Sequence, residues 1–142
     1  NVKFGFAKDA PLAEIVAGDW GEAGKNGGHL VLNAEQQHLE GDIVVDAISS
    51  VKFDMGSKVT YKGAINPNKQ GTAVVVMDKT SKWTLAADSY LESIQFEKTV
   101  EKGIKQINSK GYNIYYNPKN PANAALAGKT YSLKGGGLLL TY

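Results

Sequence analysis

The residues from Val51 to Ile65 return in altered form from Val75 to Ser89. Laid over each other at an offset of 24, Val51, Asp54, Ser57, Lys58 and Thr60 meet Val75, Asp78, Ser81, Lys82 and Thr84, identical in type. Phe53, Val59 and Tyr61 fall on Met77, Trp83 and Leu85, so the apolar positions are kept where the residue changes. A repeat of about 20 to 30 residues with strand-like alternation marks a solenoid, in which each unit buries its apolar side only when a neighbour stacks on it. The repeat therefore predicts an all-β chain, a β-solenoid. Val51, Phe53, Met55, Val59, Tyr61, Gly63 and Ile65 are expected to face in, and Lys52, Asp54, Lys58, Thr60 and Lys62 to face out.

The flanks differ from this centre. Val2, Phe4 and Phe6 alternate as an edge strand, and Asp9-Ala10-Pro11 ahead of Leu12, Ala13, Ile15 and Val16 at helical spacing predicts a short helix. Gly18 to Gly28 is a glycine-rich loop around Trp20. Residues 1–28 are thus expected to form an N-terminal cap, and residues 29–142 about four coils ending in a hairpin through Gly135–Gly137. Leu39–Ile43 resembles Tyr61–Ile65 at an offset of 22, so the first coil is expected to be slightly shorter than the second. Val100, Ile104 and Ile107 sit at helical spacing and predict a short helix or irregular loop, and Asn117 to Gly128 reads as a turn-rich connection.

Composition narrows the function. With 142 residues and 42% hydrophobic content the chain can build one core without staples, and it has no cysteine for disulfides or thiolate metal sites. All 16 basic residues are lysine, against 14 acidic ones. A balanced charge without arginine argues against a nucleic-acid partner. No apolar run reaches the roughly 18 residues of a membrane span, which argues against membrane insertion. The chain starts at Asn1 without a basic-then-apolar leader, so it is expected to be a mature product or part of a larger protein.

Several segments carry a family resemblance: Leu39–Asp46, Ile48–Val51, Gly63–Asn66, Ser81–Leu85, Asp88–Tyr90, Gly111–Tyr116 and Gly128–Leu133. Through them the stretch from His29 to Tyr142 resembles bacterial secreted and surface right-handed parallel β-helix proteins of the carbohydrate-binding, pectate-lyase-like type. The resemblance implies a right-handed parallel β-helix and an extracellular or cell-surface setting. It also implies a polysaccharide partner of the cellulose or uronate polymer class, sometimes with calcium. These are scaffold motifs, and the resemblance transfers no active site.

Equivalent residues on stacked parallel strands lie about 4.8 Å apart. An offset of 24 therefore sets Asp54 under Asp78, and such a pair of carboxylates repels unless it is solvated, shares a proton or holds a cation, with calcium as the natural guest. The alternative is a pair of turn aspartates pointing into water. Lys58 would sit under Lys82 with Lys62 nearby, either a face for a uronate polymer or a solvated face. Trp20, Tyr112, Tyr115 and Tyr116 are candidate sugar-binding rings, Tyr115 facing opposite to its two neighbours by alternation. Trp83 and Tyr61 belong in the core. His29 and His38 read as structural, and no serine sits on a strand–turn–helix elbow.

These observations lead to a non-catalytic extracellular polysaccharide-binding module. One alternative is a structural or adhesive surface segment with end-to-end self-association. The other is a polysaccharide lyase, for which the chain lacks the arginine base that the resemblance implies.

Overall fold

Inward residues at every second position of short runs call for strands that pair edge to edge, and the computed structural model of the chain, which describes residues 2–4, 10–18 and 27–142, has that form. In chain order the strands are β1 (Val2–Phe4), β2 (Ala13–Ile15), β3 (His29–Ala34), β4 (His38–Glu40), β5 (Ile43–Val45), β6 (Ser50–Met55) and β7 (Thr60–Lys62). There follow β8 (Thr72–Met77), β9 (Lys82–Thr84), β10 (Ser89–Leu91) and β11 (Ser93–Phe96), then a single helical turn α1 (Val100–Gly103) that runs into a 3-10 turn, Ile104–Gln106. The last strands are β12 (Ile107–Asn108), β13 (Ile114–Tyr116), β14 (Tyr131–Ser132) and β15 (Leu138–Thr141), with a 3-10 turn, Pro121–Leu126, between β13 and β14.

The architecture is mostly β and its sheets are largely parallel. Three sheets have the orders β11-β8-β6-β3, β12-β9-β7-β4 and β10-β13-β15-β14, and a smaller one has the order β1-β2-β5. Among the described residues only β1 with β2 and β14 with β15 pair antiparallel. The short helix expected at residues 12–16 is instead strand β2, parallel to β5 with Ala13 opposite Ile43 and Ile15 opposite Val45. Ala13 and Ile15 are buried and Glu14 is not, so period two wins over the helical spacing once a partner strand is available.

The register of the central strands is 22, not 24. Phe53 lies opposite Val75 and Tyr61 opposite Trp83, and Leu39 lies opposite Tyr61, so the first unit matches the second in length at this position. Because the two offsets differ by one strand period, the inward set survives the change: Val51, Phe53, Met55, Val59, Tyr61 and Ile65 are all buried. The outward columns do not survive it. Asp54 lies between Asn33 and Val76, Thr60 between His38 and Lys82, and Lys62 between Glu40 and Thr84.

Phe53, Tyr61 and Trp83 form the aromatic centre of the core. Phe53 meets Tyr61 edge-on at 5.2 Å, and Tyr61 lies 6.0 Å from Trp83. Their polar ends are satisfied by backbone: the Tyr61 hydroxyl donates to the carbonyls of Gly41 at 2.7 Å and Ala64 at 3.1 Å, and Trp83 Nε1 donates to Gly63 at 2.9 Å. A side chain at Gly63 has no room, since a Cβ there would lie 2.3 Å from the Gly41 carbonyl oxygen.

Candidate functional site

The 22-residue register dissolves two of the sites expected from sequence. Asp78 lies beyond β8, where its backbone N–H donates to Met55 O at 2.9 Å and its Oδ1 accepts from Thr80 N at 2.7 Å. The Thr80 donors, side chain first, hold the Asp78 carboxyl below its ordinary range. Asp54 and Asp78 therefore do not stack, and the charge repulsion that called for calcium between them does not arise. Among the described residues no three His, Cys, Asp or Glu side chains come together as metal ligands.

The lysine column breaks up for the same reason. Lys58 sits in a turn at φ 55° with its N–H on Thr80 Oγ1 at 2.9 Å, Lys82 lies opposite Thr60, and Lys62 Nζ is 3.5 Å from Glu40 Oε1. The histidines sit on separate sheets, with His29 Nδ1 2.8 Å from Ser50 Oγ and His38 Nδ1 2.8 Å from Thr60 Oγ1.

The three candidate tyrosines separate. Tyr116 is fully buried, and its hydroxyl donates to Lys129 O at 2.7 Å, so it is a core residue and not a surface ring. Burial, with Tyr131 nearby, pushes its phenol pKa up. Tyr112 is exposed but follows the turn at Lys110 and Gly111, both at positive φ, and so lies outside the strand whose alternation was used to orient it. Trp20 lies outside the described residues. Tyr115 is the one that the structure sets into a surface group.

That group arises from strand pairing. β13 runs parallel to β10 with Tyr115 directly opposite Tyr90, and each has inward residues on both sides: Ile114 and Tyr116 for the first, Ser89 and Leu91 for the second. The outward rings stack at 4.8 Å and 7°. Tyr142, whose N–H reaches Tyr116 O at 3.3 Å, sets its ring 6.5 Å from Tyr90 at 67°. Lys69 extends over this cluster, its Nζ 5.5 Å from the centre of the Tyr90 ring and 5.1 Å from that of Tyr142.

The turn that carries Lys69 is held from within. Asn66 is buried at φ 51°, its Oδ1 accepts from Gln70 N at 3.2 Å, and its Nδ2 donates to Gly71 O at 2.9 Å and to Tyr90 O at 3.1 Å. One amide thus ties the lysine's turn to the tyrosine's strand. Lys69 itself stands at φ 52°, the left-handed region.

Polar groups frame the rings. Asp88 Oδ1 accepts from Asn113 N at 2.8 Å, and Asn113 Nδ2 points at the Tyr115 hydroxyl from 3.4 Å. Glu92 Oε1 accepts from Asn117 at 3.1 Å and from Asn120 at 2.8 Å. Burial and then the neighbouring Tyr115 and Asp88 raise the Tyr90 pKa, while burial and then Glu92 raise that of Tyr142. Both phenols stay neutral and able to donate well past neutral pH. Flat rings, phenol hydroxyls and carboxamides together offer apolar faces with a hydrogen-bonding rim.

Tyr90, Tyr142 and Lys69 were not among the candidates from sequence. The signal for Tyr90 lies in two matching triplets, Ser89-Tyr90-Leu91 and Ile114-Tyr115-Tyr116, each with an outward tyrosine between inward residues; nothing in the local sequence marks Lys69 or Tyr142. Set beside models of known families, curated proteins and solved structures, the chain matches none of them. The functional reading therefore rests on the geometry.

Proposed function

We propose that this chain is a non-catalytic polysaccharide-binding module, wound as a right-handed parallel β-helix of about four coils and working outside the cell or at its surface. The winding is supported by β3, β4 and β5, which pair in parallel with β6, β7 and Ile65, and by β6 and β7, which pair in turn with β8 and β9. Parallel neighbours require crossover connections, and these are overwhelmingly right-handed. Kinship with the secreted carbohydrate-binding, pectate-lyase-like β-helix proteins belongs to the same proposal.

The observation that carries the binding reading is the outward stack of Tyr90 on Tyr115, joined by Tyr142 and rimmed by Asn113, Asn117 and Asn120. Tyrosine presents a rigid ring with a polar tip, which suits a pyranose with one apolar face and an equatorial belt of hydroxyls. The partner classes are cellulose and uronate polymers. A cation between Asp54 and Asp78 is no longer part of the reading. A lyase is disfavoured by the lack of arginine, and the tyrosines supply binding rather than a base.

A second reading has one observation behind it. Among the described residues β3 and β4 are edge strands, and Val31 on β3 is 63% exposed. Unpaired strand edges favour association with another chain, as a self-assembling surface segment would need.

The test is retention on insoluble cellulose and on soluble polygalacturonate for the parent chain, Tyr115→Ala and Tyr142→Ala, with Lys58→Ala as an off-site control. Retention should weaken by about fivefold in each tyrosine variant and stay unchanged in the control, since one lost ring contact is worth on the order of 1 kcal/mol. No retention on either polymer, together with concentration-dependent association in sedimentation, would remove these two partner classes and favour the structural reading.

A further inference from the structure

The position between Tyr90 and Tyr142 already holds a cation. Lys69 Nζ lies within 5.5 Å of both ring centres, and among the described residues no carboxylate pairs with it. Electron-rich ring faces recognise an ammonium in this way, and aromatic cages that bind ammonium ligands use the same attraction. Two carboxylates, Asp88 and Glu92, flank the cluster, each anchored by amide donors. Asp88 acts on the Tyr90 phenol and Glu92 on that of Tyr142, so both rings border negative charge. Lysine is a point charge on a flexible four-carbon stem and can withdraw into water without disturbing the turn that Asn66 holds.

We propose that Tyr90 and Tyr142 form a cleft for the ammonium group of an amino-sugar polymer, and that Lys69 is its resident competitor, displaced when such a ligand binds. This rests on the glycan-binding reading and replaces its cellulose and uronate classes by amino-sugar polymers. The sugar ring lies along the tyrosine and asparagine rim while its amine takes the place of Lys69 Nζ. A uronate polymer would bring its carboxylates toward Asp88 and Glu92 and is repelled there.

The test is calorimetric titration with a glucosamine tetramer, its N-acetylated counterpart, an oligogalacturonate and tetramethylammonium, at a pH where the sugar amine is protonated. Lys69→Asn removes the competitor while keeping a residue that tolerates positive φ. That variant should bind the glucosamine tetramer and tetramethylammonium about tenfold more tightly than the parent chain, the scale of one cation–π contact at a partly desolvated site. Its affinity for the N-acetylated tetramer should not change, and Tyr142→Ala should lose the gain.

Weaker or unchanged binding of the glucosamine tetramer by Lys69→Asn overturns the proposal. So does oligogalacturonate binding that Lys69→Asn abolishes, because Lys69 is then a direct anion contact. Glycan binding that needs Tyr115 but ignores both the amine and Lys69 overturns the cation cleft and leaves the glycan reading standing. Absence of binding to every glycan overturns both.

Discussion

Tyr61 shows how much one buried side chain settles. Its ring lies between Phe53 and Trp83, and its hydroxyl donates to the carbonyls of Gly41 and Ala64. Burial, with Asp42 next, pushes its pKa well above the ordinary value. A phenol raised in the folded state contributes its full stability below the unfolded pKa of about 10 and loses it as pH rises beyond that value, because only the unfolded chain then releases the proton. Urea unfolding of the parent chain should therefore weaken above about pH 10. Tyr61→Phe should cost about 1–2 kcal/mol at neutral pH, through two carbonyls left without this donor, and should show a shallower alkaline decline. Equal alkaline slopes in the two proteins would mean that Tyr61 ionises normally in the fold. Gly63→Ala is expected to cost more than Tyr61→Phe, because the new Cβ meets the Gly41 backbone and nothing there is flexible enough to move aside. At this scale the sequence was legible wherever alternation alone decided the matter: Tyr61 and Trp83 read correctly as core. Alternation set Tyr115 and Tyr116 on opposite faces, as they are, but gave Tyr112 the face of Tyr116 by counting across a turn, whereas the strand begins at Ile114.

At the scale of elements, the repeat was visible and its register was not. Five identities favoured an offset of 24, yet backbone pairing follows 22, and both keep the same residues inside because they differ by one strand period. The inward face thus tolerates a register error that scrambles every outward column, which is why the core could be read and the Asp54–Asp78 and Lys58–Lys82 pairs could not. The segment at residues 12–16 failed differently: four apolar residues in so short a run fit helix and strand alike, and pairing with β5 decided it. Elements also need their edges finished, and Asn123 does this for β11. Its Oδ1 accepts from Ile94 N at 3.0 Å, and its Nδ2 donates to Glu92 O at 2.9 Å and Asn117 O at 2.7 Å, all from a buried position. Asn123→Ala would take this partner from the Ile94 N–H and the Glu92 carbonyl, while Asn117 O keeps the Asn120 N–H at 3.2 Å, and should lower stability by about 2–4 kcal/mol, read as a shift in urea midpoint at constant m-value. The Ile94 amide should lose its exchange protection first. A variant with parent-like midpoint and parent-like Ile94 protection would show that water replaces the side chain at no cost.

For the whole molecule the decisive property is that pairing runs between neighbours in a fixed order. β6 contacts β3 on one side and β8 on the other, β7 lies between β4 and β9, and β13 lies between β10 and β15. Stability in such an array is close to a sum of local units and their interfaces, so it need not be lost everywhere at once. The tyrosine cluster was illegible for a related reason: it combines Lys69 from a turn, Tyr90 and Tyr115 from strands 25 positions apart in register, and Tyr142 at the end of the chain, brought together only by stacking. Native-state hydrogen exchange should therefore be graded, with the slowest amides in β6, β7, β8 and β9 and faster ones toward β13 and β15. Leu139 is fully buried on β15, directly opposite Ile114 of β13. Leu139→Ala should cost about 2–5 kcal/mol where it packs. If the array behaves as a line of units, that loss speeds exchange in β13 and β10, frees Tyr142 from the aromatic cluster and weakens ligand binding, while β6 and β8 keep most of their protection. Uniform acceleration across all strands would instead make the chain a single cooperative unit, and the tyrosine surface would then be as stable as the core beneath it.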